Sequence, residues 1–360
     1  MDAAMTRGVA FIGRRAVAGL FTLIVMTSVT FWLFWATKTE PSHFLYAGHA
    51  GALTPYEVVH GHKLLGTDKP KLEQWWHYET HLLRFDFGKA WEGAAIIDNS
   101  KLIHREPIAP VVYPDLRITL SLLLGGVLFV ILLAVPLGAF AGSRIGSVGD
   151  RTLSLVALLG VCTHPMVIGI LTRTLFADHL HWFPPYGYCP LGGAPALGCH
   201  GPQDWAYHLA LPWLSFALLF LALYFRMVRT SVAETLNEDF VRTARAKGAS
   251  ELRVVARHVL PTAAMRILTM VGMEIGTAIG VCIYLESSAA FGLGGLASEA
   301  LYAMGGNTQL DLPLILAIVF LISLIVIVGN LVVDALYVVI DPRPALTGER
   351  RGFLARRGVV

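Results

Sequence analysis

The stretch ITLSLLLGGVLFVILLAVPLGAFA, Ile118–Ala141, decides the fold class. It contains no Asp, Glu, Lys, Arg or His. A helix of about 20 apolar residues is long enough to span the roughly 30 Å hydrocarbon core of a lipid bilayer. The sequence therefore predicts that this stretch crosses a membrane as a helix.

The composition of the whole chain also indicates a lipid environment. Of its 360 residues, 55% are hydrophobic and 15% are charged, and the mean hydropathy is +0.61. Soluble domains carry about 25% charged residues, so this chain has too little charge to cover a water-facing surface, and a wholly soluble fold is excluded. The four cysteines include no C-x-x-C pair, and they therefore give no zinc or redox pattern.

Five further apolar runs have the length of a membrane span. They cover Ala16–Ala36, Thr152–Phe176, His208–Val228, Ala263–Leu285 and Asp311–Val339. The first run is longer than the roughly 7–15 apolar residues of a cleaved signal peptide, so we expect it to be retained. The predicted fold is all-α and integral to the membrane, with six transmembrane helices.

The positions of Lys and Arg predict the orientation of these spans. Most of the 28 positive residues lie at the N-terminus, between the second and third spans, between the fourth and fifth, and after the sixth. Because positive charge is enriched on the cytoplasmic side, both termini are expected there. The predicted organisation is a cytoplasmic N-terminus (1–15), a first span (16–36), an extracytoplasmic loop domain (37–117), a transmembrane core (118–339) with a cytoplasmic loop (230–262), and a cytoplasmic tail (340–360).

Two predicted outer segments are long enough to fold. The first contains two predicted short helices, Pro55–Leu65 and Lys71–Arg84. The second, Ala177–Tyr207, contains Cys189 and Cys199. An outer location permits a disulfide between them. The sequence leaves two alternatives, a disulfide or two free thiols.

The predicted inner loop has the pattern of a helix, a glycine elbow and a second helix over residues 237–260. Asn237 is placed to cap the first helix, Gly248 suits the left-handed residue after its end, and Ser250 is placed to cap the second helix, which is expected to stop at Pro261. Two interpretations are open: docking into a groove on a cytoplasmic partner, or an amphipathic helix lying on anionic lipid. The predicted apolar face consists of Phe240, Val241 and Ala244.

This loop resembles the EAA-loop of ATP-binding-cassette (ABC) importer permeases, in the form found in the dipeptide, oligopeptide and nickel branch. The similar residues are Arg242-Thr243-Ala244-Arg245-Ala246-Lys247-Gly248. Asn330-Leu331-Val332-Val333-Asp334 through Asp341-Pro342-Arg343 resembles the C-terminal sequence of the family. Leu65-Gly66-Thr67-Asp68-Lys69-Pro70 and Phe85-Asp86-Phe87-Gly88 resemble the outer loop of the first, B-type permease subunit. The resemblance covers nearly the whole chain.

The resemblance implies the fold, the setting and the partners. It implies a type I ABC importer permease fold in the bacterial cytoplasmic membrane, a second permease subunit of the C type, two ATP-binding subunits and an extracytoplasmic solute-binding protein. No nucleic acid is expected as a partner. The chain has no phosphate-binding loop of the form G-x-x-x-x-G-K-[ST], so ATP and Mg are expected in partner subunits and no enzymatic activity here. The residues implied to couple this chain to the ATPases are Phe240, Val241, Arg242, Ala244, Arg245, Lys247 and Gly248.

The sequence departs from the family at three places. Residues Trp91–Glu106 extend the first outer loop, Gly292-Leu293-Gly294 lacks the proline expected before it, and Glu274 stands where the family usually has Gln. These departures bear on the substrate rather than on the architecture.

Ionisable residues inside spans are costly and by default face a cavity or a partner. On this ground Glu274 and, less directly, Arg173 are candidate residues of the translocation pathway. A structural hydrogen bond for Glu274, and placement of Arg173 at the membrane surface, are the alternatives. Asp334 is expected to tie helices or the inner loop together, and Asp341, Pro342 and Arg343 are expected to be structural.

Three other functions compete with this interpretation. A nickel or metal-complex importer is the alternative that the His60/His62 and His179/His181 pairs suggest, although no carboxylate or Cys completes a ligand set. A transporter driven by an ion gradient would leave the inner loop without a role, and no inverted repeat is visible. A membrane enzyme has no supporting nucleophile and base. The leading hypothesis is the permease of an importer of peptides or similar small solutes.

Overall fold

The computed structural model describes residues 2–37, 40–44, 53–91, 95–97, 101–103, 107–185, 187–289, 291–302 and 311–340. The helices are α1 (Asp2–Ala36), α2 (Pro55–Leu65), α3 (Lys71–Leu82), α4 (Ala109–Ser143), α5 (Val148–Val161), α6 (Pro165–Arg173), α7 (Pro202–Thr235), α8 (Asp239–Ala246), α9 (Glu251–Val254), α10 (Leu260–Ala289), α11 (Gly292–Tyr302) and α12 (Leu312–Ile340). Short 3-10 turns lie at Pro41–Phe44 and Pro195–Leu197, and π-helical turns lie at Thr174–His179 and Val255–Val259. Strands β1 (Ala95–Ile97) and β2 (Lys101–Ile103) form an antiparallel hairpin in which Ala95 pairs with Ile103.

Five helices of the described residues are long and apolar enough to cross a membrane, and a sixth candidate results if α5 and α6 count as one span. The five are Ile12–Ala36, Ala109–Ser143, Pro202–Thr235, Arg266–Ser287 and Leu312–Leu336. They overlap the first, second, fourth, fifth and sixth predicted spans. The apolar runs thus predicted the single-helix spans, with ends that extend further than expected in several cases.

The third predicted span, Thr152–Phe176, is not one straight helix. The chain bends by 108° between α5 and α6, and Pro165 is the first residue of α6. A proline has no backbone N–H and disfavours helical geometry at the residue before it. Accordingly, His164 has extended backbone angles and caps α6 through its side chain. Hydropathy alone did not reveal this break, because both halves are apolar.

The chain divides into two compact units. We call Met1–Ala18, Leu122–Leu285 and Val326–Val360 the core unit, and Gly19–Ser121 and Glu286–Ile325 the loop unit. The boundary at Ser121–Leu122 falls within α4, so this helix contributes to both units.

Close approach of α4 and α7 determines the packing of the core unit. A Cβ atom placed on Gly138 would lie 2.7 Å from the Cβ of Val228, and one on Gly142 would lie 2.5 Å from the carbonyl oxygen of Arg229. Small residues let helix backbones come together inside a membrane. Both glycines are therefore required by proximity rather than by backbone angle.

An ion pair fixes the start of α5 to α7 in the core unit. The carboxylate of Asp150 accepts hydrogen bonds from Nε and Nη2 of Arg229, the second at 2.7 Å. It also accepts one from the backbone N–H of Gly146 at 2.9 Å. The Asp150 side chain is only 3% exposed, so its charge is stabilised by these donors rather than by water.

Helix α3 packs on α1 in the loop unit through a buried carboxylate. The side chain of Glu79 accepts hydrogen bonds from the hydroxyl of Thr27 at 2.9 Å and from that of Ser28 at 2.9 Å. Trp75 donates its indole N–H to Ser28 at 2.9 Å. The helix predicted at Pro55–Leu65 is confirmed, and the one predicted at Lys71–Arg84 ends at Leu82.

The start of the additional outer stretch also belongs to the packed part of the loop unit. Trp91 is fully buried, and its backbone N–H donates to Asp311 at 2.7 Å. The other oxygen of Asp311 accepts from the backbone N–H of Leu314 at 3.2 Å, in the first turn of α12. One carboxylate thus caps α12 and holds the outer stretch against it.

Cys189 and Cys199 form a disulfide, with their Cα atoms 5.6 Å apart. The two residues flank a tight turn in which Ala194 and Cys199 pair as an isolated antiparallel bridge. The structure thus contains the bridged form of this pair rather than two free thiols.

Candidate coupling and translocation site

Helix α8 lies against the core unit through its apolar side. Val241 is 0% exposed and belongs to one cluster with Val228, Val232, Val254 and Val259, and Ala244 packs at the edge of that cluster. Only Phe240 of the predicted apolar face remains open, at 46% exposure. This packing corrects the prediction for Val241, whose side chain holds the segment to this chain and is not accessible to a partner.

The elbow after α8 is a left-handed glycine turn. Gly248 has φ +81°, its N–H donates to the carbonyl of Arg245 at 2.9 Å, and the N–H of Ala249 donates to the carbonyl of Ala244 at 3.2 Å. This bonding pattern is the Schellman motif that ends many helices. A Cβ atom on Gly248 would meet nothing within 4 Å, so the glycine is required by its backbone angle alone.

Two of the predicted helix ends differ in the structure. The N-cap of α8 is Glu238, whereas Asn237 donates its side-chain amide to the carbonyl of Ala233 and closes α7. Pro261 was predicted to stop the second helix, but it lies in the first turn of α10. The π-helical turn before it, in which the Leu260 N–H donates to the Val255 carbonyl, accommodates a residue that lacks an N–H.

Charged residues surround the elbow on its exposed side. Arg245 donates two hydrogen bonds to Glu251 across the elbow, at 2.8 and 3.0 Å, and this interaction raises the pKa of Arg245. Arg242 lies 3.6 Å from Asp239 within α8, and Lys247 is the C-cap residue of α8. The Arg245–Glu251 and Arg242–Asp239 pairs lie at the surface, where an ion pair contributes little to stability, so their main effect is to orient the segment.

Leu252 is an exposed residue of this segment that sequence reasoning missed. It is 81% exposed on α9, whereas Val254 two positions later is fully buried. Together with Phe240 it leaves two large apolar side chains in water on a segment that is otherwise charged. The sequence contained a signal for this residue, because apolar residues continue beyond Gly248 at Leu252 and Val254. The resemblance drew attention only to the heptapeptide that ends at Gly248.

Comparison with known proteins identifies the family. Residues 134–345 match the family described as "Binding-protein-dependent transport system inner membrane component", and residues 8–123 match its N-terminal companion, described as "Binding-prot-dependent transport system membrane comp, N-term". The chain belongs to this family of transport permeases. The matched region contains the whole segment from α8 to α10.

Relatives of the permease extend over almost its full length. A putative peptide permease protein of Brucella ovis is 32% identical over 92% of this chain and 98% of its own. A probable peptide ABC transporter permease protein of Sinorhizobium fredii is 28% identical over 92% and 98%. A glutathione transport system permease protein of Salmonella typhimurium is 28% identical over 92% and 97%. The permease is therefore an ABC importer subunit and a multi-pass membrane protein.

The other predicted site residues lie apart from the elbow. Glu274 is half-buried on α10, and Arg173 at the end of α6 has its Nε atom 4.0 Å from a carboxylate oxygen of Asp178. Asp334 on α12 forms an ion pair with Arg15 of α1 at 3.4 Å, and this pair joins two helices of the core unit. Asp341, Pro342 and Arg343 lie outside the described residues.

A buried carboxylate at the end of α10 was also missed. Glu286 is fully buried, and its Oε2 accepts from the hydroxyl of Thr119 at 3.0 Å and from the N–H of Gly294 at 2.9 Å. A Cβ atom on Gly292, which has φ +68°, would lie 2.5 Å from the Glu286 carboxyl carbon. The glycine run noted in the sequence therefore closes over this acid and turns the chain into α11.

The histidine pairs suggested a metal importer. Within the described ranges, no group of three or more His, Cys, Asp or Glu side chains has the arrangement of a metal site. The names of these relatives refer to peptides and glutathione, which does not favour the nickel alternative.

Proposed function

We propose that this permease is the first, B-type membrane subunit of an ATP-driven importer of peptides, and that an ATP-binding subunit docks on the segment Glu238–Val259. One observation carries the docking site. Phe240 and Leu252 are exposed on a segment whose opposite side is anchored to α4 and α7 by fully buried valines. A force applied to this surface would therefore act on the transmembrane helices. The peptide substrate is supported by the names of the relatives.

Docking to a protein fits this surface better than docking to lipid. A helix that lies in the membrane surface needs a broad apolar face directed into the acyl chains. In α8 the apolar side is already covered by the chain itself, and the open side carries Asp239 and Arg242, whose side chains are 97% and 72% exposed. Isolated apolar anchors amid charge are typical of a groove contact with another protein.

The remaining parts of the assembly follow from this role. The importer would comprise this subunit, a C-type second permease, two ATP-binding subunits and an extracytoplasmic solute-binding protein. ATP and Mg would be held by the ATP-binding subunits, where hydrolysis takes place. The chain would lie in the bacterial cytoplasmic membrane with both termini in the cytoplasm, because the positive residues concentrate on that side.

The docking surface can be tested by alanine substitution in the complete importer. Phe240→Ala and Leu252→Ala should each reduce recovery of the ATP-binding subunit with the purified permease by about tenfold, because exposed apolar anchors carry most of the binding energy of an interface. Leu191→Ala is the matched control, since Leu191 is also exposed, at 54%, but lies between the disulfide cysteines. Equal recovery for all three variants would contradict the proposed site, and ATP-independent uptake by the wild-type importer would contradict the proposed function.

A further inference from the structure

Helix α3 packs along the last part of the α1 span rather than beyond its end. The ammonium group of Lys71 lies 2.8 Å from the centre of the Trp35 ring, and the carboxylate of Glu79 accepts a hydrogen bond from Thr27 at 2.9 Å. The candidate span covers Ile12–Ala36, so at roughly 1.5 Å per residue Thr27 lies about 13 Å from its C-terminal end. Helix α3 therefore runs antiparallel to α1, at levels that lie within the span.

One side of α3 carries exposed apolar side chains. Leu72, Trp76 and Leu83 are 65%, 62% and 41% exposed, and Leu83 is the C-cap residue of the helix. Their spacing places them on one side of the helix. We call these three side chains the apolar row. A contiguous row of large exposed apolar side chains marks a contact with a membrane or with another protein.

The neighbouring side of α3 is polar. Glu73 and His77 are exposed, and each follows a member of the apolar row by one residue, which is a rotation of about 100° around the helix. Glu73 forms an ion pair with Lys69 at 2.7 Å, and the ring of His77 stacks on that of His81 at 4.2 Å. An apolar side beside a polar side is the pattern of a helix at a membrane surface.

The apolar row continues a surface of α1. Trp75 donates its indole N–H to Ser28 at 2.9 Å, and its ring lies 5.9 Å from that of Trp76. On α1, Trp32 follows Ser28 by about one turn and Val25 precedes it by about one turn, and both are exposed. The apolar row and this edge of α1 therefore form one apolar surface on the same side of the helix pair.

The charged group of α3 at this level is covered by the helix pair itself. Glu79 is buried, and its carboxylate accepts two hydrogen bonds from the hydroxyl of Thr27 and one from that of Ser28. A carboxylate exposed to hydrocarbon is costly, but this one is turned inward and bonded. Lipid can therefore cover the apolar row without contact with an unsatisfied charge.

From these contacts we infer that α3 is embedded in the membrane interface at the Ala36 end of α1, and that the apolar row contacts phospholipid acyl chains. Trp76 then lies at the boundary of acyl chains and headgroups, where tryptophan is enriched. The sequence predicted residues 37–117 as an extracytoplasmic loop domain, and α3 is the part of it that lipid holds. The inference depends on the membrane location of the α1 span and not on the solute or the ATP-binding subunit.

The test places a nitroxide label on each side of α3. Trp76→Cys and His77→Cys are made singly in a Cys162→Ser background, because Cys162 is exposed whereas Cys282 is buried. The permease is purified with the subunits that accompany it and is placed in phospholipid nanodiscs. Electron paramagnetic resonance then measures how often each label collides with oxygen, which concentrates among acyl chains, and with a water-soluble nickel chelate.

The ratio of oxygen to nickel collisions should be severalfold higher for Trp76→Cys than for His77→Cys. Leu72→Cys and Glu73→Cys should repeat the difference at a second pair of neighbouring positions. Equal ratios would overturn the inference, because the apolar row would then face water. Rare collisions with both reagents in Trp76→Cys would also overturn it, because another protein would cover the row. Neither result bears on ATP-driven uptake, so the proposed function can fail or stand independently of this lipid contact.

Discussion

Asp150 and Arg229 face each other in a two-point ion pair that joins the first turn of α5 to α7. The carboxylate is almost fully buried and the guanidinium is partly exposed. The pair holds the polar turn between α4 and α5 against the same helix that anchors the α8 segment. It also explains how a charged residue is tolerated so close to the start of an apolar helix.

Removal of one member of this pair should destabilise the permease. Asp150→Asn is expected to lower the free energy of unfolding by about 2 kcal/mol, because Arg229 would lose its charged acceptor in a partly dry site. Arg229→Lys should have a similar effect, since an ammonium group cannot donate in the two-point geometry. Thermal unfolding of the single and double variants in detergent measures the loss of stability and the coupling between the two residues. Additive effects of Asp150→Asn and Arg229→Lys would contradict a direct coupling.

The backbone angle of Gly248 leads to a second prediction. Gly248→Ala should cost about 1–2 kcal/mol at the elbow, because a side chain disfavours the left-handed conformation, and transport should fall as the two helices lose their fixed angle. Gly13→Ala is the matched control: it lies in α1, has no left-handed angle, and its Cβ atom would meet nothing within 4 Å. ATP-driven uptake measures both. Equal rates for the two variants would refute the role of the elbow.

Close helix contact at Gly142 leads to a third prediction. Gly142→Ala should destabilise the permease by about 1–3 kcal/mol, because the new methyl group would overlap the carbonyl oxygen of Arg229 and force α4 away from α7. Gly192→Ala, whose Cβ atom would meet nothing within 4 Å, should be neutral. The midpoint of thermal unfolding checks the difference. A melting temperature equal to that of wild type in Gly142→Ala would show that the helices tolerate separation.

Two neighbouring residues of α8 should separate stability from partner binding. Val241→Ala should lower stability by about 2 kcal/mol through loss of buried apolar area, whereas Phe240→Ala should leave stability nearly unchanged. At a temperature where both variants are folded, Phe240→Ala should recover less of the ATP-binding subunit than Val241→Ala does. The assignment of buried and open sides fails if Phe240→Ala is the less stable of the two.

Burial of Glu79 predicts a pH dependence in the loop unit. Desolvation raises the pKa of this carboxyl, partly offset by hydrogen bonds from Thr27 and Ser28. Because the folded state holds the proton more tightly, the contribution of Glu79 to stability is full below the pKa of an unfolded Glu, about 4.3, and is lost as the pH rises through the folded pKa. The melting temperature of wild type should therefore fall relative to that of Glu79→Gln as the pH is raised. A difference that stays constant with pH would contradict this.

Much of the fold could be predicted from apolar length, because a span must be long and uncharged whatever its neighbours. The break at Pro165 was missed, since hydropathy does not report backbone geometry, although the proline itself was visible. In the segment Glu238–Val259, the turn at Gly248 could be predicted from local backbone chemistry. The burial of Val241 could not, because it depends on contacts with α4 and α7 that lie far away in sequence.

The valine cluster has a mechanical consequence. It brings residues of α4, α7, α8 and α9 and of the π-helical turn into one buried cluster, so α8 and α9 are packed directly on the transmembrane helices. Because Val241 of α8 packs in one cluster with Val228 and Val232 of α7, a displacement of α8 would be transmitted to α7 through these contacts. The π-helical turn just before Pro261 connects this cluster to α10, the helix that carries Glu274.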